Sequence, residues 1–199
     1  MKQSRAETTR QNILDAALEC FSRHGYDATG VAEICQTAGI SKGAFYHHFP
    51  TKQAVFIDLL ESWLATLDQG FQQVLARGQT VPESLMEMAS IAPAVYRAAG
   101  GWLPMFLDFW AQSMRDPVIG AKVTAPYNRY QQLFTHLLTR GVEEGSLQPI
   151  DTRMAARGLV GMAVGMLLQG LLDPQGADWG AELQRSVSLY LNGILRRKT

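Results

Sequence analysis

Hydrophobic positions recur at three- and four-residue spacing along the whole 199-residue chain, and no stretch alternates with the two-residue period of a half-buried strand. The pattern predicts an all-α protein. Ile13, Leu14, Ala17, Leu18 and Phe21 make one face of a first helix. Ser4 with Glu7, or Thr8 with Gln11, offers it a capping box, and His24-Gly25 offers it a stop. Val31, Ile34, Cys35 and Ala38 line a second, short helix. Gly39 follows its last periodic residue, where a left-handed backbone ends a helix, and Ile40 can fold back as the accompanying hydrophobic contact. Ser41 is then a natural N-cap for a third helix, Lys42 to Phe49, broken by Pro50 and buried along Phe45 and Phe49.

Thr51 can cap a long fourth helix, residues 51–76, whose apolar face runs from Val55 and Phe56 to Val74 and Leu75. Arg77 to Pro82 is a cluster of helix breakers, and Pro82 suits the first position of the helix carrying Leu85, Met86, Met88 and Ala89, interrupted at Pro93. After Gly100-Gly101 comes the most aromatic stretch, Trp102 to Trp110. Asp116-Pro117 opens a long helix through Val118, Ile119, Val123, Tyr127, Tyr130, Leu133, Phe134, Leu137 and Leu138, stopping at Gly141 or Gly145. Two more helices follow, about 152–171 and 178–197, the first capped by Asp151 or Thr152 and the second striped by Leu183, Val187, Leu191, Ile194 and Leu195. No internal repeat or low-complexity tract interrupts this order.

The third helix is where pattern becomes candidate chemistry. With Phe45 and Phe49 turned inward, Lys42, Gly43, Ala44, Tyr46 and His47 face outward near a helix N-terminus. Two small residues allow close approach, Lys42 can reach a base edge or a phosphate, and Tyr46 and His47 can donate to phosphates. The helix N-terminus adds free N–H groups and a positive dipole. Two helices around a glycine turn make a helix-turn-helix, although on spacing alone an ordinary surface helical hairpin fits as well.

The run from Ala28-Thr29-Gly30-Val31 through Ala38-Gly39-Ile40-Ser41-Lys42-Gly43-Ala44-Phe45-Tyr46-His47-His48-Phe49, then Lys52, resembles the DNA-binding signature of the TetR family of transcriptional repressors. The resemblance covers about the first quarter of the chain and implies a three-helix DNA-binding domain, residues 1–50, and a ligand-binding and dimerisation domain, residues 51–199, with helix 51–76 as connector. It also implies a DNA-contacting set of Thr29, Ser41, Lys42, Gly43, Ala44, Tyr46 and His47, with Lys52 in a phosphate-contacting slot. Arg5 and Arg10 are further candidates for phosphate contact. Two positions depart from the family pattern: Gly30 replaces a frequent hydroxyl residue, and His48 replaces a usual tyrosine.

Charge sharpens this picture. Net charge is zero, and residues 1–52 carry six Lys and Arg against five Asp and Glu, so DNA binding must rest on a few placed cations, doubled by dimerisation. The cysteines, Cys20 and Cys35, lie in apolar helical faces and read as small core residues rather than a disulfide or metal pair. No signal peptide and no membrane span is expected, Leu159 to Leu172 being the nearest apolar run, so the expected setting is cytoplasmic.

In the second domain, Trp63, Trp102, Phe106, Phe109, Trp110, Tyr127, Tyr130 and Phe134 are candidate lining for an effector pocket, though packing alone explains aromatics at this spacing. A bulky hydrophobic effector, or a lipophilic cation held by ring faces with Asp108 as counter-charge, suits such a wall. Gly158, Gly161 and Gly165 permit close helix approach, so the last two helices are the expected homodimer surface. No metal spacing, phosphate-cradling loop or nucleophile turn is present in the sequence, so neither enzyme nor cofactor is expected. A helical small-molecule-binding protein or enzyme without DNA function is the alternative.

Overall fold

The computed structural model describes residues 2–94, 107 and 110–195, with side chains from Arg5 onward, and their regular structure is helical. An isolated antiparallel bridge between Leu147 and Leu195 is the strand-like feature among these residues. Contacts gather the described residues into two units, Met1–Ala65 with Gly101–Lys122, and Thr66–Gly100 with Val123–Thr199. This division differs from the expected one at residue 50, because two helices begin in one unit and end in the other.

The first unit opens with α1 (Lys2–His24), which starts upstream of both expected capping boxes. Thr8 and Gln11 lie inside it, and Gln11 spends its amide on Asp15 one turn on, at 2.8 Å. Gly25 ends α1 with φ 81°, a conformation open to glycine without a Cβ penalty. Then come α2 (Val31–Ala38) and α3 (Lys42–His48). The turn between them is the predicted one: Gly39 has φ 66° and ψ 35°, its N–H reaches Gln36 O at 3.2 Å, and Ile40 N–H reaches Cys35 O at 3.0 Å. These are the paired bonds of a Schellman end, which satisfy carbonyls that α2 would otherwise leave open.

Ile13, Ala17, Phe21, Ile34, Phe45, Val55 and Phe56 are fully or almost fully buried and form the core of this unit. Burying each large side chain contributes about 1.5–3 kcal/mol. Phe21, Tyr26 and Phe56 meet edge-on or tilted, with ring centroids 4.3 to 5.5 Å apart. Both cysteines are free and buried, as their apolar settings suggested.

The helix α4 (Lys52–Leu75) is capped by Thr51, whose hydroxyl oxygen accepts from Ala54 N–H at 3.0 Å. Thr80 starts α5 (Val81–Ser90), and both its N–H and its hydroxyl donate to Glu83, at 3.0 and 2.6 Å. The cap is therefore Thr80, and Pro82 falls inside the first turn. Asp116 starts α6 (Pro117–Glu143), which keeps Pro126 within it. The chain continues with α7 (Thr152–Leu172), capped by Asp151, and α8 (Trp179–Ile194), capped by Asp178.

Val74, Val81, Leu85, Met88, Leu137, Leu138, Leu147, Ala156, Leu159 and Leu191 make the core of the second unit. Several of its glycines are close approaches, Gly158 and Gly180 among them. A Cβ on Gly180 would stand 2.4 Å from Pro93 Cα, and one on Gly158 would stand 3.3 Å from Tyr190 Oη. Gly158 therefore serves packing within the chain, with Tyr190 donating to Ala155 O at 3.0 Å. By length and composition α7 is apolar enough to cross a membrane, contrary to the expectation from its glycines, since glycine interrupts an apolar run without making it polar.

Candidate nucleic-acid interface

The interface is built from α3 outward. Ser41 accepts from Ala44 N–H at 3.1 Å, which leaves its hydroxyl proton for another acceptor and fixes the start of the helix. Phe45 is fully buried and anchors α3 in the core, while Tyr46 on the next position is 54% exposed. The Phe45 ring meets Tyr46 edge-on at 5.4 Å and restrains its direction. Ser41, Lys42, Gly43, Tyr46 and His47 are exposed and Ala44 is half-buried, so the sequence-derived set shares the outer side of one short helix. His47 and His48 stand edge to face at 5.2 Å, with His48 the more buried.

Two residues of the implied DNA-contacting set, Thr29 and Lys52, turn inward. Thr29 is 1% exposed, and its hydroxyl donates to Gly25 O at 2.8 Å with Cys20 O at 3.2 Å. A buried hydroxyl so placed belongs to the scaffold of the turn between α1 and α2. Lys52 is also drawn inward: its ammonium donates to Tyr26 O at 2.6 Å and to Thr29 O at 2.8 Å, and lies 4.1 Å from the centre of the Tyr26 ring. Partial burial lowers its pKa, opposed by the charge of Asp27. Arg10 pairs with Asp58 at 2.5 Å and covers the Phe49 ring at 5.2 Å, whereas Arg5 is exposed. Sequence spacing could not show these inward partners, because each lies on another element.

Gly30, the departure from the family pattern, is the N-cap of α2 and provides no side-chain cap. A Cβ there would meet nothing within 4 Å.

The aromatic residues expected around an effector divide differently. Trp102, Phe106 and Phe109 lie outside the described residues, as does Asp108. Trp63 and Trp110 are half-buried in the first unit. In the second, Tyr130 and Phe134 meet Phe71 edge-on at 6.0 and 5.9 Å, while Tyr127 is largely exposed. Asp68 accepts from Tyr130 Oη at 2.7 Å and from Arg129 at 2.6 Å. Burial, then this bond to Asp68, pushes the Tyr130 phenol well above its ordinary value. Asp68 and Arg129 had no sequence signal, because they lie 61 residues apart on different helices. No group of three or more His, Cys, Asp or Glu able to hold a metal occurs among the described residues.

A short, N-capped helix with an exposed polar face, held by a buried phenylalanine against two bracing helices, defines a helix-turn-helix DNA-binding protein. Residues 13–59 match the family model for bacterial regulatory proteins of the tetR family, and residues 98–196 match the BetI-type transcriptional repressor C-terminal model. The chain belongs to the TetR family and is a DNA-binding regulator of transcription. It is 27% identical over 197 residues to the HTH-type transcriptional regulator UidR of Escherichia coli, covering 97% of this chain and 96% of UidR. Two crystal structures share the fold at a TM-score of 0.79. A transcriptional regulator from Saccharomonospora viridis in complex with choline is 19% identical, with 96% of this chain and 100% of that one covered. FadR from Bacillus subtilis in complex with stearoyl-CoA is 21% identical, with 92% and 98% covered.

Proposed function

We propose that this regulator is a homodimeric, cytoplasmic repressor that grips its operator through Ser41, Lys42, Gly43, Ala44, Tyr46 and His47 and releases it when a small hydrophobic effector binds the second domain. The observation that carries the reading is the outer side of α3, where these residues surround a capped helix N-terminus. Lys42 and Tyr46 reach phosphates or base edges, and Gly43 and Ala44 let the backbone approach the groove.

Two such helices must sit about 34 Å apart, or a multiple of it, to read paired half-sites. Support for dimerisation through α7 and α8 comes from their surface. Met154, Leu172 and Leu189 are 69%, 73% and 74% exposed, and Gly161 and Gly165 face open space where a partner helix can approach. This use also accounts for the apolar composition of α7 without a membrane. In the functional division, residues 1–50 read DNA, residues 51–199 bind effector and partner, and α4 is the connector. Effector binding shifts α4 and changes the spacing of the two α3 helices, for which a coupling of about 1–3 kcal/mol suffices.

For the effector, Phe71, Tyr130 and Phe134 supply ring edges and faces, and Asp68 with Arg129 supplies one polar end. The two structural relatives hold choline and stearoyl-CoA, ligands of opposite character, so the apolar body is argued from this chain's own aromatic residues.

The test is DNA binding by the parent protein and by Lys42→Ala, Tyr46→Ala and Gly161→Arg, using a duplex selected by the parent from a randomised pool. Each of the first two should weaken binding by about 1–3 kcal/mol without changing oligomeric state. Gly161→Arg should give monomers in sedimentation and lose paired half-site binding. Parent-like affinity in both α3 variants would sink the assignment of this face, and a dimeric Gly161→Arg protein would sink the interface.

A further inference from the structure

The turn between α1 and α2 is held from two directions, and one of them comes from the threshold of α6. On one side Lys52, in the first turn of α4, donates to Tyr26 O and Thr29 O. On the other, Gln112 Nε2 donates to Asp27 Oδ1 at 2.8 Å. Gln112 and Asp116 belong to one helical turn, closed by Asp116 N–H to Gln112 O at 2.8 Å. The carboxylate of Asp116 is shared. Its Oδ1 accepts from Val118 N–H at 2.8 Å and Ile119 N–H at 3.3 Å, and so caps α6, while its Oδ2 accepts from Gln53 Nε2 of α4 at 3.0 Å. A single turn of chain thus caps α6, binds the start of α4 and binds the start of the helix-turn-helix.

This matters because α2 lacks a side-chain cap of its own at Gly30. Its entry is set by the preceding turn, and α3 follows α2 through the fixed Gly39 end. We propose that Gln112 and Asp116 are positioning residues for DNA binding, which hold the α1–α2 turn, and with it α2 and α3, to the first turns of α4 and α6. The inference rests on the α3 face being the one that meets DNA. It adds a second path to that face: a displacement of the α6 N-terminus pulls on Asp27 directly, without passing through α4.

Amide hydrogen exchange of the 199-residue protein, followed on peptides covering residues 25–31 with α7 and α8 peptides as internal control, tests this separately from DNA binding. Gln112→Ala should speed exchange at 25–31 by about three- to tenfold, the equivalent of one hydrogen bond, and weaken binding to the selected duplex by a similar factor. Gln112→Glu, which sets a second negative charge against Asp27, should do more. Gln112→Lys, which keeps a donor for Asp27, should exchange like the parent. In all three variants α7 and α8 should be unchanged. Parent-like exchange at 25–31 in both the Ala and Glu variants overturns the proposal, as does faster exchange with unchanged DNA affinity. A parent protein that binds no DNA would instead defeat the reading of the α3 face, and the exchange results would still stand on their own.

Discussion

Replacing Thr29 by valine separates the two roles this residue could have. The change removes a hydroxyl and keeps the branched shape at a site only 1% exposed. Two carbonyls lie within reach, Gly25 O at 2.8 Å and Cys20 O at 3.2 Å, but a hydroxyl has one proton, so one good bond is lost rather than two. The loss is about 1 kcal/mol for the bond, rising towards 3 kcal/mol because a buried carbonyl is left without its partner. A central figure of about 2 kcal/mol lowers the melting temperature of a chain this size by roughly 4–8 °C. Calorimetry at fixed protomer concentration reads the shift, since the proposed dimerisation would make it concentration-dependent. The salt dependence of DNA binding reads the other role: a scaffold residue leaves its slope unchanged, and a phosphate contact does not. A Thr29→Val protein with parent melting temperature and weaker DNA binding would refute the placement of this hydroxyl in the scaffold.

Two other sites give sharp expectations. Gly39→Ala forces a Cβ into a backbone of φ 66° with no neighbour within 4 Å, so the cost is conformational alone, about 1–2 kcal/mol, measurable by urea denaturation. Glu83→Gln tests the Thr80 cap through pH. Its bonds from the Thr80 hydroxyl and N–H hold the Glu83 carboxyl below its ordinary 4.5, so its contribution is present above that value and fades as pH falls through the folded pKa. The melting temperature of Glu83→Gln should lie below the parent's at pH 7 and converge with it towards pH 3.

What was legible in the chain followed from local rules. The α2 end at Gly39, the Ser41 cap and the burial of Phe45 are each set by residues within four positions of one another. The same holds for the caps at Thr51, Asp151 and Asp178, of which Thr51 was expected outright and Asp151 as one of two alternatives. The start of α1 was not legible, because Thr8 and Gln11 satisfy a capping pattern while also tolerating a helix interior, and nothing local chooses between them. Thr80 was overlooked beside Pro82, although the Glu three residues on is the reciprocal half of a capping box.

The outward placement of Ser41 to His47 was legible on the same terms, whereas the inward partners of the nearby cations were not. Lys52 is a cation just after α3, and the family resemblance implies a phosphate-contacting slot for it. The fold instead gives its ammonium two carbonyls and an aromatic face. Arg10 is held by Asp58 and Arg23 by Glu19, while Arg5 and Lys42 stay exposed. In a chain with no net charge, three of the six cations of residues 1–52, Arg10, Arg23 and Lys52, are thus engaged by the protein itself. On the proposed dimeric reading, affinity comes from few contacts made twice, and each depends on how accurately α2 and α3 are held. Loosening the α1–α2 turn, through Thr29, Lys52 or Gln112, should weaken binding by about three- to tenfold, the lower part of the range for removing a contact on α3 itself.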